Sequence, residues 1–218
     1  MCEIKFNPKC IFLDLDGTIV NPRQAYVEAA RIGFHALGQE LQEMEIAFEI
    51  PKRMEQDLSL DGLVCGDLNL FKKAYLQAYH VVTNGKTKLF PNMLETIEAL
   101  SLKAKLALIT MRHVSNQMVI KELDSFGIGK YFSSVMTAFD TSKPKPSPEA
   151  IFKGIEKFNV NPCDCLIVGD SINDIKAGKA AGIKTIGLLS GLYFHDELVK
   201  ECPDMILSDL TKLLDIIE

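Results

Sequence analysis

The sequence predicts an α/β protein, a doubly wound and mostly parallel sheet, and three observations support that class. Short apolar runs recur without the alternation of a half-exposed strand, as expected of parallel strands buried on both faces. Between the runs lie segments whose apolar residues follow helical spacing. The alternation breaks once, from residue 21 to residue 88, where no convincing strand occurs and the pattern is helical throughout.

In chain order the strand-like runs are Ile11-Phe12-Leu13, Leu106-Ala107-Leu108-Ile109, Ser134-Val135-Met136-Thr137, Leu166-Ile167-Val168, Thr185-Ile186-Gly187-Leu188 and Met205-Ile206-Leu207. Leu94, Ile97 and Leu100 mark one helix, and Val114, Met118, Leu123 and Phe126 another. Ile151, Ile155 and Phe158 mark a third, opened by Ser147 as N-cap with Pro148 at the first helical position. Within the break, Tyr26, Ala30, Phe34, Leu37, Leu41, Met44 and Phe48 are spaced for helix, as are Phe71, Tyr75, Ala78 and Val82. Pro51, Asp61-Gly62 and Asn84-Gly85 punctuate this segment as turns. The expected organisation is a core of residues 1–20 and 89–218 with a helical insertion at 21–88.

A chain of 218 residues accommodates such a core and its insertion. Hydrophobic residues at 47% and charged residues at 24% fit a soluble globular protein. A net charge of −5 excludes a general nucleic-acid binder, which needs a positive stripe to meet phosphates. The N-terminus has no signal-peptide pattern, and no apolar run approaches the roughly 18 residues of a membrane span, so a cytoplasmic protein is expected. Of Cys2, Cys10, Cys65, Cys163, Cys165 and Cys202, only Cys163 and Cys165 are close in sequence. Their single-residue gap does not fit a zinc site, so all six are read as structural or neutral.

Four stretches carry chemistry. F-L-D-L-D-G-T (12–18) ends an apolar run with Asp14 and Asp16, two apart and so on one side of an extended chain. Ligands of open parallel sheets bind beyond the carboxyl ends of the strands, and Gly17 lets the backbone turn there. L-I-T-M-R (108–112) puts Thr110 at a strand end with a helix expected directly after it, where a hydroxyl and amides hold a phosphate oxygen or simply cap the helix. In S-K-P-K-P-S-P-E (142–149), three prolines are expected to keep the chain extended and present Lys143 or Lys145 to an anion. V-G-D-S-I-N-D (168–174) sets Asp170 at a strand end and Asp174 four residues on, oxygen ligands for a hard cation such as Mg²⁺. Gly178 and Gly182 are expected to serve close packing or a helix end.

These stretches, in this order and each at a strand end, resemble the four motifs of the haloacid dehalogenase superfamily across essentially all of the chain outside the insertion. The insertion resembles the helical cap of the phosphoglycolate phosphatase and β-phosphoglucomutase branch. The resemblance implies that Asp14 is the nucleophile and Asp16 the general acid and base. It further implies that Thr110 and Lys143 bind the phosphoryl group, with Lys143 preferred to Lys145, and that Asp14, the backbone carbonyl of Asp16 and Asp170 hold Mg²⁺, with Asp174 either a further ligand or an anchor behind the ligands. Two departures stand out. Met111 and Arg112 follow Thr110 where relatives carry a small or amide residue, and Asn92 replaces a frequent glycine. Arg112 is read either as contacting substrate, through a carboxylate or second phosphate, or as a water-facing residue on the first turn of the next helix.

The implied function is a Mg²⁺-dependent phosphatase of small phosphorylated metabolites, with no nucleic-acid or membrane partner, acting as a monomer or homodimer. A phosphomutase and a non-catalytic protein of the same fold are the alternatives. Arg23, Lys52, Arg53, Lys72, Lys73 and His80 are polar candidates for substrate selection in the insertion, although each also fits an exposed surface position.

Overall fold

The computed structural model describes residues 5–218, and at 84–86 the backbone only; Cys2 therefore lies outside the described residues. The elements run β1 (Cys10–Leu13), β2 (Val20–Asn21), α1 (Arg23–Ala36), α2 (Met44–Glu55), α3 (Leu68–Lys86), β3 (Lys88–Leu89), α4 (Met93–Lys103), β4 (Lys105–Ile109), α5 (Asn116–Ser125), β5 (Phe132–Met136), α6 (Glu149–Phe158), β6 (Cys165–Gly169), α7 (Ile172–Ala181), β7 (Lys184–Leu188), α8 (His195–Lys200) and β8 (Met205–Leu207). Six of the strands form one sheet in the order β5-β4-β1-β6-β7-β8, and every neighbouring pair in it is parallel.

Burial on both faces explains the continuous apolar runs. Ile11 and Leu13 point into a core shared with Met93, Ile97 and Leu100 of α4 and Val119 and Leu123 of α5. Cys10 and Phe12 point the other way, toward Ala150, Ile151 and Phe158 of α6 and Ala177 and Ala181 of α7. Each large apolar side chain removed from water contributes about 1.5–3 kcal/mol, so the two layers supply most of the drive for this unit. Cys10 and Cys165 face each other in register on β1 and β6, and the five described cysteines are free.

Gly178 and Gly182 serve the two purposes expected of such glycines, one each. A Cβ at Gly178 would press within 2.5 Å of the Thr185 methyl, so its absence lets α7 lie close on the sheet. Gly182 ends α7 at φ 70°, a left-handed cap. Asn92 takes φ 61°, the region that glycine and asparagine tolerate, which accounts physically for the exchange at that position.

The chain divides into two compact units, Asn21–Lys88 forming one and Leu89–Glu218 together with the described chain up to Val20 forming the other. Residues 21–88 hold α1, α2 and α3 around their own core of Ala30, Phe34, Ile50, Leu60, Phe71 and Tyr75. The only strand residues here lie at its ends, where β2 and β3 make a two-stranded sheet. No helix among the described residues is long and apolar enough to cross a membrane.

Several local expectations shift. Pro51 lies inside α2 and Asn84-Gly85 inside α3, so neither is a turn. Ala47 and Ile50, fully buried, hold α2 in place across the proline, whose missing N–H removes one helical bond. α6 starts at Glu149, one residue late, although Ser147 Oγ still accepts the Glu149 N–H at 3.3 Å. Leu94 and Met118 are exposed, and Met93 and Val119 take their places in the core. Ile97 and Leu100 of α4 and Leu123 of α5 stay in the core as expected, so only the N-terminal position of each apolar stripe shifts, by one residue, to the neighbouring apolar side chain.

Candidate active site

In the parallel sheet the carboxyl ends of β1, β4, β6 and β7 share one edge. Strand order reverses at β1: the chain runs outward through β4 and β5, returns to β6 on the other side, and runs outward again. A crevice is expected where the order reverses, and Asp14 follows the last residue of β1 there. Its N–H donates to the Val168 carbonyl at 3.1 Å, so the ladder carries the aspartate one residue past the strand. Leu15 turns back into the core, and its carbonyl accepts the amides of Ile19 at 2.9 Å and Val20 at 3.0 Å. Gly17 takes φ +88° in this tight loop.

Asp170 follows β6 and is buried, with Thr18 Oγ1 donating to its Oδ1 at 3.3 Å. A Cβ at Gly17 or Gly191 would collide with its carboxylate, so both glycines are set by the approach of Asp170. Gly191 carried no expectation; the Ser190-Gly191 turn pair after β7 is its only trace in the sequence. Asp174 opens α7 and is 1% exposed. Its Oδ2 accepts the Ser171 N–H at 3.1 Å in a capping box, while its Oδ1 meets Lys145. The aspartate therefore caps the helix and belongs to the acidic group at once.

Ligand atoms of Asp14, Asp170 and Asp174 lie within 4.8 Å of one another. One ammonium stands among them. Lys145 Nζ donates to Asp14 Oδ1 at 2.6 Å, Asp174 Oδ1 at 2.6 Å and the Ile109 carbonyl at 3.1 Å, which uses all three of its protons. Burial works against its charge, but Asp14 and Asp174 together raise its pKa above the ordinary lysine value. Asp14 is pushed up to about 8, first by burial, with Lys145 pulling it down and Asp174 and Asp16 pushing further up. With all three carboxylates ionised, one ammonium would leave an excess of two negative charges, a cost that the raised pKa of Asp14 reflects and that a cation would offset. The donors are hard oxygens, so the residues fit a divalent ion such as Mg²⁺ held by Asp14, Asp170 and Asp174. Asp16 is outside this group because its carboxylate turns to Arg112, so any share in holding a cation falls to its main-chain carbonyl.

The lysine is a correction: Lys145, rather than Lys143, reaches the acidic group. The segment is not held extended; Ser147 N–H donates to the Pro144 carbonyl at 3.0 Å and closes a turn that points Lys145 inward. Lys143 is exposed, and only its backbone is held, its N–H donating to Glu149 at 3.2 Å. Two lysines each standing before a proline look alike in sequence, and the turn separates them. Glu149 also takes the Ser142 N–H at 3.0 Å and its hydroxyl at 2.6 Å, and pairs with Lys153 at 2.8 Å. These bonds, Lys153 foremost, hold its pKa down at about 2. A carboxylate so depressed contributes stability that is present above about pH 4.5 and lost as the pH falls toward 2. Glu149→Gln should thus flatten the acid limb of a urea-stability profile over that window, with its deficit against the wild type present at pH 7 and disappearing as the pH falls toward 2. An unchanged acid limb would exclude this role.

The second strand end also differs from expectation. Thr110 is buried and its N–H donates to the Met136 carbonyl at 3.0 Å, but α5 starts only at Asn116 with Ser115 as N-cap. Thr110 is therefore no helix cap. Its Oγ1 accepts the Arg112 N–H at 3.3 Å within the intervening loop. Met111 is half-buried and its sulfur accepts from Asn173 Nδ2 at 3.8 Å. Arg112 neither faces water nor lies on a helix: it is 6% exposed, forked onto Asp16 and paired with Glu122. In the other unit, Arg23, Lys72 and Lys73 are exposed, whereas Lys52 is buried and pairs with Glu49 at 3.9 Å.

Known proteins resemble this chain in sequence and in fold. The chain is 31% identical over 224 residues to a phosphoglycolate phosphatase of Vibrio vulnificus (strain YJ016), covering 96% of each. It is 30% identical over 217 residues to a pyrophosphatase of Anoxybacillus flavithermus, covering 97% of each. A crystal structure described as a predicted phosphoglycolate phosphatase of Haemophilus somnus superposes with a TM-score of 0.76 at 26% identity, over 96% of this chain and 98% of that one. Residues 11–188, from within β1 to the end of β7, match the haloacid dehalogenase-like hydrolase family. With the sheet order, the aspartates at the strand ends and this match together, the chain belongs to the haloacid dehalogenase-like hydrolases.

Proposed function

We propose that this chain is a Mg²⁺-dependent phosphatase of small phosphorylated metabolites, of the phosphoglycolate phosphatase kind, working through a phosphoryl group carried on Asp14. The observation that supports it most is the buried set of Asp14, Asp170 and Asp174 around Lys145, a charge arrangement suited to a dianionic phosphate.

In the first step an Asp14 carboxylate oxygen bonds to phosphorus as the bond from phosphorus to the ester oxygen breaks. The leaving oxygen keeps that electron pair and takes a proton from Asp16, which becomes a carboxylate. In the second step water attacks phosphorus, gives its proton to Asp16, and displaces Asp14, so that phosphate departs and both residues return to their starting forms. Lys145 supplies positive charge beside the Asp14 oxygen throughout, and the buried Thr110 hydroxyl is placed at the adjacent strand end to hold a phosphoryl oxygen. A divalent cation held by Asp14, Asp170 and Asp174 supplies the further charge that lets an anion attack an anion.

Two readouts test this. Phosphate release from p-nitrophenyl phosphate, phosphoglycolate, pyrophosphate and sugar phosphates should require Mg²⁺ and stop with EDTA. Isomer formation without phosphate release would replace hydrolysis by a mutase reaction, and metal-independent turnover would remove the scheme. Independently of activity, Mg²⁺ at about a hundredfold excess over its Kd should stabilise the protein by about 2.7 kcal/mol, and Asp170→Asn should abolish most of that gain. Equal stabilisation of both proteins would place the cation elsewhere.

A further inference from the structure

We infer that Arg112 is a positioning residue for Asp16, and that Glu122 holds it to that task. Three separate elements meet here. Asp16 lies in the loop after β1, Arg112 in the loop after β4, and Glu122 within α5. Arg112 Nε donates to Asp16 Oδ2 and Nη2 to Asp16 Oδ1, both at 2.6 Å, while Nη1 donates to Glu122 Oε2 at 2.5 Å. All three side chains are largely shielded, at 5%, 13% and 9% exposure for Arg112, Asp16 and Glu122.

A guanidinium that meets both oxygens of a carboxylate fixes its plane as well as its distance. A lysine cannot do this, because an ammonium is a point charge with no preferred plane. Each guanidinium nitrogen is engaged with a protein carboxylate, and the one not on Asp16 is on Glu122. The fork is therefore braced from behind, and Asp16 has one orientation in which to exchange a proton with a ligand at Asp14. Proton transfer depends steeply on such alignment, whereas Asp16 is held for it by a side chain that need not touch the substrate. The two aspartates of the first motif thus have separate cations, Lys145 for Asp14 and Arg112 for Asp16.

The inference rests on the proton-transfer role proposed above for Asp16, and a leaving-group comparison tests it. p-Nitrophenolate departs without a proton, whereas the alkoxide of a simple alkyl phosphate needs one. Arg112→Ala should lower kcat/KM for the alkyl phosphate by about a hundredfold and for p-nitrophenyl phosphate by less than about tenfold. Arg112→Lys, which restores charge without the fork, should recover less than half of the loss on a logarithmic scale. Glu122→Gln should show the same asymmetry at smaller size, and it carries the test if Arg112→Ala does not fold. Equal losses on both substrates in Glu122→Gln and Arg112→Lys would overturn the inference, as would a loss confined to carboxylated esters, which would make Arg112 a substrate ligand. Asp16→Asn separates this from the underlying reading: if it keeps alkyl phosphate turnover, the proposed role of Asp16 itself fails. If it loses that turnover while the Arg112 and Glu122 variants show no asymmetry, only the positioning role fails.

Discussion

Asp14→Asn is expected to reduce turnover of every phosphate ester by more than about a thousandfold while leaving the protein folded and no less stable. The activity follows from the covalent route, since an amide does not form the acyl phosphate. The stability follows from electrostatics. Asp14 is buried beside Asp174 and near Asp16, and burial together with these two charges outweighs the help of Lys145, so its charge is a burden in the absence of a cation. An asparagine at this position carries no charge at any pH, while Lys145 keeps Asp174 and the Ile109 carbonyl. The melting temperature in metal-free buffer should be unchanged or higher than that of the wild type, and the gain on adding Mg²⁺ should shrink. A variant that melts earlier would mean that the Asp14–Lys145 bond outweighs the repulsion. One that retains turnover would remove Asp14 as nucleophile.

The paired substitutions Lys145→Ala and Lys143→Ala should separate completely. Lys145→Ala removes the ammonium bonded to buried Asp14 and Asp174, and loss of one member of a buried ion pair costs about 3–5 kcal/mol. It should also abolish turnover, because among the described residues Lys145 is the cation bonded to Asp14. Added Mg²⁺ should recover part of the stability, since it meets the same excess charge, but not the turnover. Lys143→Ala removes an exposed side chain whose backbone alone is held, so its stability should stay within about 0.5 kcal/mol and its activity near that of the wild type. Urea unfolding and kcat/KM on p-nitrophenyl phosphate read both effects. Equal loss in the two variants would contradict the assignment of the two lysines.

Much of the site was legible before the fold because the chemistry needs particular residue types at strand ends. Asp14 and Asp170 each sit at the end of a run of apolar residues, where an unpaired charge has no structural reason to be, and Asp174 follows four residues after Asp170. The glycine at 178 showed itself as a helix breaker inside a helical pattern, and its reason, close approach to the sheet, is the one its small size suggested. What misled were features whose meaning depends on a neighbour. Thr110 reads as a helix cap until the helix proves to start at Asn116. Pro51 and Asn84-Gly85 read as turns until burial or helix length carries the chain through them.

The sequence by itself determined the parallel α/β class, the break at residues 21–88, and the aspartates at the strand ends, because each is a local pattern with its own physical cause. Periodicity, burial on both faces and misplaced charge are all written within a few residues. The tertiary structure alone decided which lysine serves Asp14, what holds Asp16, and why Gly191 has no side chain. Those partners lie far along the chain, 131 residues apart for Lys145 and Asp14 and 96 for Arg112 and Asp16. An ion pair across that separation leaves no periodic mark. It exists only once the sheet has brought the ends of β1, β4 and β6 to one edge.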